Sequence, residues 1–120
     1  KYNLIWDRVL GFGLFPQSVF EQEAKIYQTK MQRYGLPLDS RKTYTKLDWT
    51  VWSACLTGKR SDFDVVMGPV YTWVNETPSR VVLSDWYETT DGTSMGFQAR
   101  TVVGGMWMPL LMKKMGSELK

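Results

Sequence analysis

Seven residues capable of acid–base or charge chemistry fall within one short connection: Asp39, Arg41, Lys42, Tyr44, Thr45, Lys46 and Asp48. An ordinary connector is built from Gly, Ser and Asn, which serve the backbone. This one carries carboxylates, cations and a phenol. Asp39 can act as a base or bind an ammonium group, or it can simply close an Asx turn with its neighbours. Arg41 can grip a carboxylate with its two-pronged guanidinium, or it can pair with Asp39 or Asp48 and fix the loop. Tyr44 and Lys46 can donate to a developing negative charge; alternatively, the ring packs and the lysine is solvated. Asp48 sits where a helix begins. The helix dipole there favours the ionised form, which suits a base, and a capping role explains it equally well.

A second group lies further on. Asp85 stands beside Trp86 and Tyr87, where a desolvated acid and an aromatic platform could meet a substrate. The competing reading is two rings anchoring a segment with a surface carboxylate. Arg100 precedes the last helical stretch and can reach an anionic substrate or a buried acid. The candidate catalytic residues are therefore Asp39, Asp48 and Asp85. The candidate substrate contacts are Arg41, Tyr44, Lys46, Trp86, Tyr87 and Arg100.

Composition removes several chemistries. The 120 residues contain no His and one Cys. A Ser-His-Asp or Cys-His unit within this chain is excluded, as is any His-ligated metal. Cys55 lies in an apolar helical setting and reads as a buried structural thiol. No metal or cofactor signature is present. The net charge of +3 is spread among interleaved acids and bases. That gives no basic stripe for nucleic acid. No apolar run approaches the roughly 20 residues of a membrane helix. Six Trp within 43% apolar residues can supply a sizeable core.

The elements that must position these groups read as helices. A short one is expected over residues 3–10, ending at Gly11. Ser18 and Glu21 spell a capping box for a helix whose stripe is Phe20, Ala24, Tyr27, Met31 and Tyr34, with Gly35 as its stop. Thr45 and Asp48 suggest a second box for a nearly all-apolar helix reaching Leu56. Ser61 and Asp64 suggest a third, with Pro69 kinking its middle. Residues 80–99 read as one long ordered loop, with a turn at Thr90-Asp91-Gly92. A last helix over residues 101–115 is expected to turn Val102, Val103, Met106, Trp107, Leu110 and Leu111 inward, and Gly104-Gly105 allows another helix to pack closely. The expectation is an all-α chain of helical hairpins with one long ordered loop.

Several blocks in order carry a family pattern. They are residues 2–11 (Tyr2-Asn3-Leu4-Ile5-Trp6-Asp7-Arg8-Val9-Leu10-Gly11), residues 35–46 from Gly35-Leu36-Pro37 to Thr45-Lys46, Asp48-Trp49, Asn75-Glu76-Thr77-Pro78, and residues 97–105 from Phe97-Gln98 to Gly104-Gly105. Together they resemble the C-terminal part of the glutaminase A-like family. The resemblance implies that residues 1–120 are a fragment of a secreted or envelope-associated microbial protein several times longer. It implies a place in an (α/α) toroid of the six-hairpin glycosidase type. It also implies hydrolysis of L-glutamine to L-glutamate and ammonia. No catalytic set carries over residue by residue.

Two other classes compete. In a carbohydrate-active toroid, two carboxylates would flank a glycosidic bond and Trp86 and Tyr87 would stack on sugars. In a scaffold segment, no catalytic residue lies here at all. In the first reading the partners are a small amide substrate and the remainder of the same polypeptide. The fragment alone is expected to self-associate through apolar surface left uncovered.

Overall fold

The computed structural model describes residues 1–120. A 3-10 turn, Tyr2–Leu4, leads into α1, Ile5–Leu10, which stops at Gly11 in the left-handed region with φ 65°. The chain then forms α2 (Gln17–Thr29), β1 (Tyr44–Lys46), α3 (Leu47–Ala54) and α4 (Arg60–Glu76). A hairpin follows, β2 (Ser84–Glu88) and β3 (Ser94–Gln98). A 3-10 helix, Thr101–Trp107, runs directly into α5, Met108–Lys114.

The all-α expectation fails. Residues 80–99 contain a hairpin, and β1 adds to it to make a three-stranded antiparallel sheet in the order β1-β2-β3. Tyr44 faces Glu88, Thr45 faces Tyr87 and Lys46 faces Trp86. Aromatic and β-branched residues suit that extended surface. Asp91 shapes the hairpin turn by accepting from the backbone N–H and hydroxyl of Thr93, and Gly92 supplies the positive φ. The strands escaped a periodicity reading because Asp85, a carboxylate, occupies an inward position.

None of the three expected capping boxes forms. Pro16, Lys46 and Lys59 occupy the N-cap positions, without side-chain caps. Glu21 pairs with Lys59, and Asp64 pairs with Arg60. Thr45 lies in a strand, where its hydroxyl meets that of Thr50. The helix α2 ends at Thr29, short of Gly35, yet Tyr34 and Leu36 still enter the core from the following loop. The helix α4 is continuous through Pro69.

The C-terminal helix differs in phase. Its first part is 3-10, with three residues per turn in place of 3.6, so the inward set shifts. Met108 and Met112 are buried, while Met106, Trp107, Leu110 and Leu111 are exposed.

The core lies between α3, α4 and the sheet. Ile5, Phe20, Leu47, Val51, Leu56 and Val70 pack there with the stacked rings of Trp73 and Tyr87, 3.7 Å apart. Trp73 is the one buried tryptophan. Cys55 is fully buried, as its apolar setting suggests, and burial pushes its thiol up to about 12. No helix is long and apolar enough to cross a membrane.

Candidate functional site

Antiparallel pairing sets Lys46 against Trp86, and this brings two distant sequence groups together. Asp85, adjacent on β2, has no exposed surface. An isolated carboxylate cannot be ionised there at reasonable cost. Two cations meet it. The Arg100 Nε and Nη2 donate at 3.1 and 2.6 Å, and the Lys46 Nζ lies at 3.4 Å. Burial pushes the Asp85 carboxyl up, but these cations more than offset it and hold it below the usual carboxylate range. The Asp85 side chain in turn raises the Arg100 guanidinium. Lys46 is lowered by burial, opposed by Asp85.

Asp48 completes the cluster differently. It begins α3 and is 7% exposed, and no cation forms an ion pair with it. Burial raises its carboxyl; the Trp49 and Asp48 backbone N–H groups oppose this, and the Asp85 charge adds to it. The sequence led us to expect an ionised capping acid. The reason it differs is the lid over it: the 3-10 helix Thr101–Trp107 presses onto α3 at Gly105. A Cβ at position 105 would lie 2.5 Å from the Asp48 Cβ and 3.1 Å from the Trp52 indole nitrogen. Of the Gly104-Gly105 pair, Gly105 alone makes the close approach; a Cβ at Gly104 would meet nothing within 4 Å. Gly105→Ala should therefore push this helix off α3, lower stability by about 1–3 kcal/mol and expose Asp48. Urea unfolding measures the first effect, and the NMR titration of Asp48 measures the second.

Aromatic rings frame the cations. Tyr44 sets its edge against Trp86 at 5.4 Å. The Lys46 Nζ stands 4.6 Å from the Trp86 ring and 4.2 Å from the Phe97 ring. The Arg100 Cζ is 3.9 Å from the Phe97 ring. The indole N–H groups of Trp52 and Trp86 are buried without a protein acceptor. Lys46, Asp48, Asp85, Trp86 and Arg100 therefore form one constellation, with Tyr44 behind it.

The other candidates lie elsewhere. Asp39 and Arg41 form a two-pronged surface pair, with Nη2 to Oδ2 at 2.6 Å. The guanidinium holds the Asp39 carboxyl at about 2. Both line an open hollow of about 690 Å³ with Lys1, Tyr27, Lys30 and Lys42. None of the buried charge cluster lines it. The cluster is the stronger site candidate because Asp85 is fully buried and its charges fix one another. Tyr87 is a core residue with no exposed surface, and its hydroxyl donates to the Tyr34 carbonyl at 2.9 Å. No three Asp, Glu or Cys side chains gather as a metal-holding group. Sequence reasoning gave Phe97 no functional role, and it missed that strand pairing brings Lys46 to Asp85. The run Phe97-Gln98-Ala99-Arg100 offered no periodic signal.

Comparison with known proteins decides the lineage. A family profile described as "Glutaminase A six helical-hairpin domain" matches residues 1–110. The chain belongs to the glutaminase A family. It is 40% identical over 114 residues to Glutaminase A of Aspergillus oryzae, covering 92% of this chain and 16% of that protein. It is 40% identical over 105 residues to a protein of Arthroderma benhamiae named as a probable glutaminase, covering 85% of this chain and 12% of that one. The chain thus spans less than a fifth of the length of either relative. No solved structure matches. Within the family's six-hairpin domain, this segment includes the three-stranded sheet described above, so the family's helical description does not make each of its parts all-α.

Proposed function

We propose that this segment supplies part of the active site of an enzyme hydrolysing L-glutamine to L-glutamate and ammonia, with Asp48 as general base. One observation carries the assignment. Two buried carboxylates share a site, and both cations serve Asp85, leaving Asp48 without one. Their proton affinities are driven apart, Asp85 down and Asp48 up. Such a split separates a positioning carboxylate from one able to exchange protons nearer neutral pH. The names of the two relatives point to the same reaction.

In this reading, Asp48 takes a proton from water as its oxygen bonds to the side-chain amide carbon. Lys46, aimed by Asp85, stabilises the oxyanion that develops. The C–N bond then breaks, and Asp48 returns the proton to the departing ammonia. Arg100 is 39% exposed on its side chain and retains donors for the substrate α-carboxylate. Tyr44 and Trp86 wall the site. Asp39 and Arg41 stand outside the reaction.

The test is ammonia release from glutamine by an enzyme of the relatives' length, beside a panel of oligosaccharides. Turnover is expected on glutamine and not on glycans. It should be lost in Asp48→Asn and in Lys46→Met, with circular dichroism unchanged. Wild-type turnover in both variants would sink the assignment.

The segment expressed alone is a second object of prediction. Phe12, Leu14, Trp107 and Leu110 are each at least 60% exposed. Large apolar side chains left in water favour association, so light scattering should show oligomers at micromolar concentration. A monomer at all concentrations would contradict this.

A further inference from the structure

Phe97 is the least comfortable residue of the structure. Its φ is 50°, in the left-handed region, and Ala99 two residues on also has φ 50°. A bulky side chain at positive φ is a steric outlier. Such strain persists only where surrounding contacts over-determine it, and it gathers at functional sites. Here the contacts are identifiable. The ring is 47% exposed, so burial in the core is not what holds it. It lies 5.0 Å from Trp86 and takes a cation on each of two approaches, Lys46 at 4.2 Å and Arg100 at 3.9 Å. Both cations also share the one Asp85 carboxylate. Like charges brought this close repel. A ring whose electron-rich face attracts both offsets part of that repulsion.

We propose that Phe97 is a positioning residue that fixes the Lys46 and Arg100 heads at the spacing the substrate requires. The backbone kink at residues 97–99 is the device that delivers the ring there. With regular strand geometry, a side chain at 97 would simply alternate across the sheet. The left-handed turn re-aims it between the two cations and at the same time directs Arg100 back onto Asp85. The inference rests on the glutaminase reading for its kinetic consequence but not for its electrostatic one.

The electrostatic consequence concerns Lys46. The groups facing it are Asp85 from β2, Asp48 from α3, Arg100 ahead of the 3-10 helix, and the Trp86 and Phe97 rings. The ring attracts only the charged ammonium. Removing it should make Lys46 easier to deprotonate.

Phe97→Leu removes the ring while keeping apolar bulk, and Phe97→Tyr restores an aromatic face. In an enzyme of the relatives' length, Phe97→Leu should raise KM for glutamine about five- to thirty-fold through the loosened Arg100, and lower kcat as well through the displaced Lys46. Phe97→Tyr should return KM to near wild type. The Lys46 side-chain nitrogen, followed by NMR, should titrate at lower pH in Phe97→Leu and recover in Phe97→Tyr. An unmoved Lys46 titration, or a Tyr variant as impaired as the Leu variant, would overturn the proposal. If the titration moves and recovers while no form of the enzyme turns over glutamine, the positioning role stands and the glutamine reading fails.

Discussion

Asp48→Asn should lower kcat for glutamine by roughly 10²–10⁴-fold, the range a positioned general base supplies. The same substitution should leave the fold as stable at neutral pH, or make it more so. Burial raises the Asp48 carboxyl in the folded state, with the Asp85 charge adding to it. The folded protein thus holds that proton more tightly than the unfolded chain does. Stability from this group is fully present below the unfolded carboxyl range, and it is lost as pH rises through the folded value. Asn carries no proton to lose, so the variant escapes that loss. A structural acid would behave in the opposite way, with stability and activity falling together. Steady-state kinetics and urea midpoints between pH 3 and 8, on the enzyme and the variant, separate the two.

Arg100→Ala is expected to lower stability, because it takes two charge-assisted donors from the buried Asp85 carboxylate. The half-open position of Arg100 lets water screen the pair and moderates the loss. Asp85 would keep only the Lys46 contact at 3.4 Å while remaining wholly buried. The pH dependence should also change. Arg100 and Lys46 hold the Asp85 carboxyl low, so its contribution is present above the unfolded carboxyl range and lost as pH falls through the folded value. Without Arg100, burial dominates and that acid-side loss should shrink or reverse. Arg100→Lys should recover only part, because a single ammonium cannot reproduce the two donors at 3.1 and 2.6 Å. Tryptophan fluorescence during urea unfolding reports the change, since Trp86 sits beside the clamp. A variant that unfolds at the wild-type midpoint, with the same pH profile, would mean the clamp is not a stabilising element.

Much of the helical framework could be read from residue types. Apolar spacing marked α2 through Phe20, Ala24 and Tyr27, and the buried positions agree. Cys55 read as a buried thiol from its apolar setting, and it is buried. Family membership was also legible, because blocks of sequence in fixed order survive as identities even where fold reasoning fails. The capping boxes misled because Ser18, Thr45 and Ser61 satisfy a local pattern that the surrounding chain overrides. Ser18 and Ser61 lie inside their helices, and the sheet claims Thr45.

What the sequence by itself determined is the chemistry available and the lineage: no histidine, a few carboxylates with cations near them, aromatic residues beside Asp85, and the glutaminase A pattern. Which of those groups work together was decided by tertiary structure alone. Lys46 and Asp85 lie 39 positions apart, and their meeting depends on the pairing of β1 with β2. Asp39 and Arg41, sequence neighbours in the loop that looked richest, spend their charges on each other at the surface. Burial separates the two cases. At the surface the guanidinium holds the Asp39 carboxyl at about 2, and water screens the pair from everything else. The same groups drawn under a strand and beneath Gly105 interact through a medium that screens them poorly, so their charges fix one another and split the proton affinities of Asp48 and Asp85.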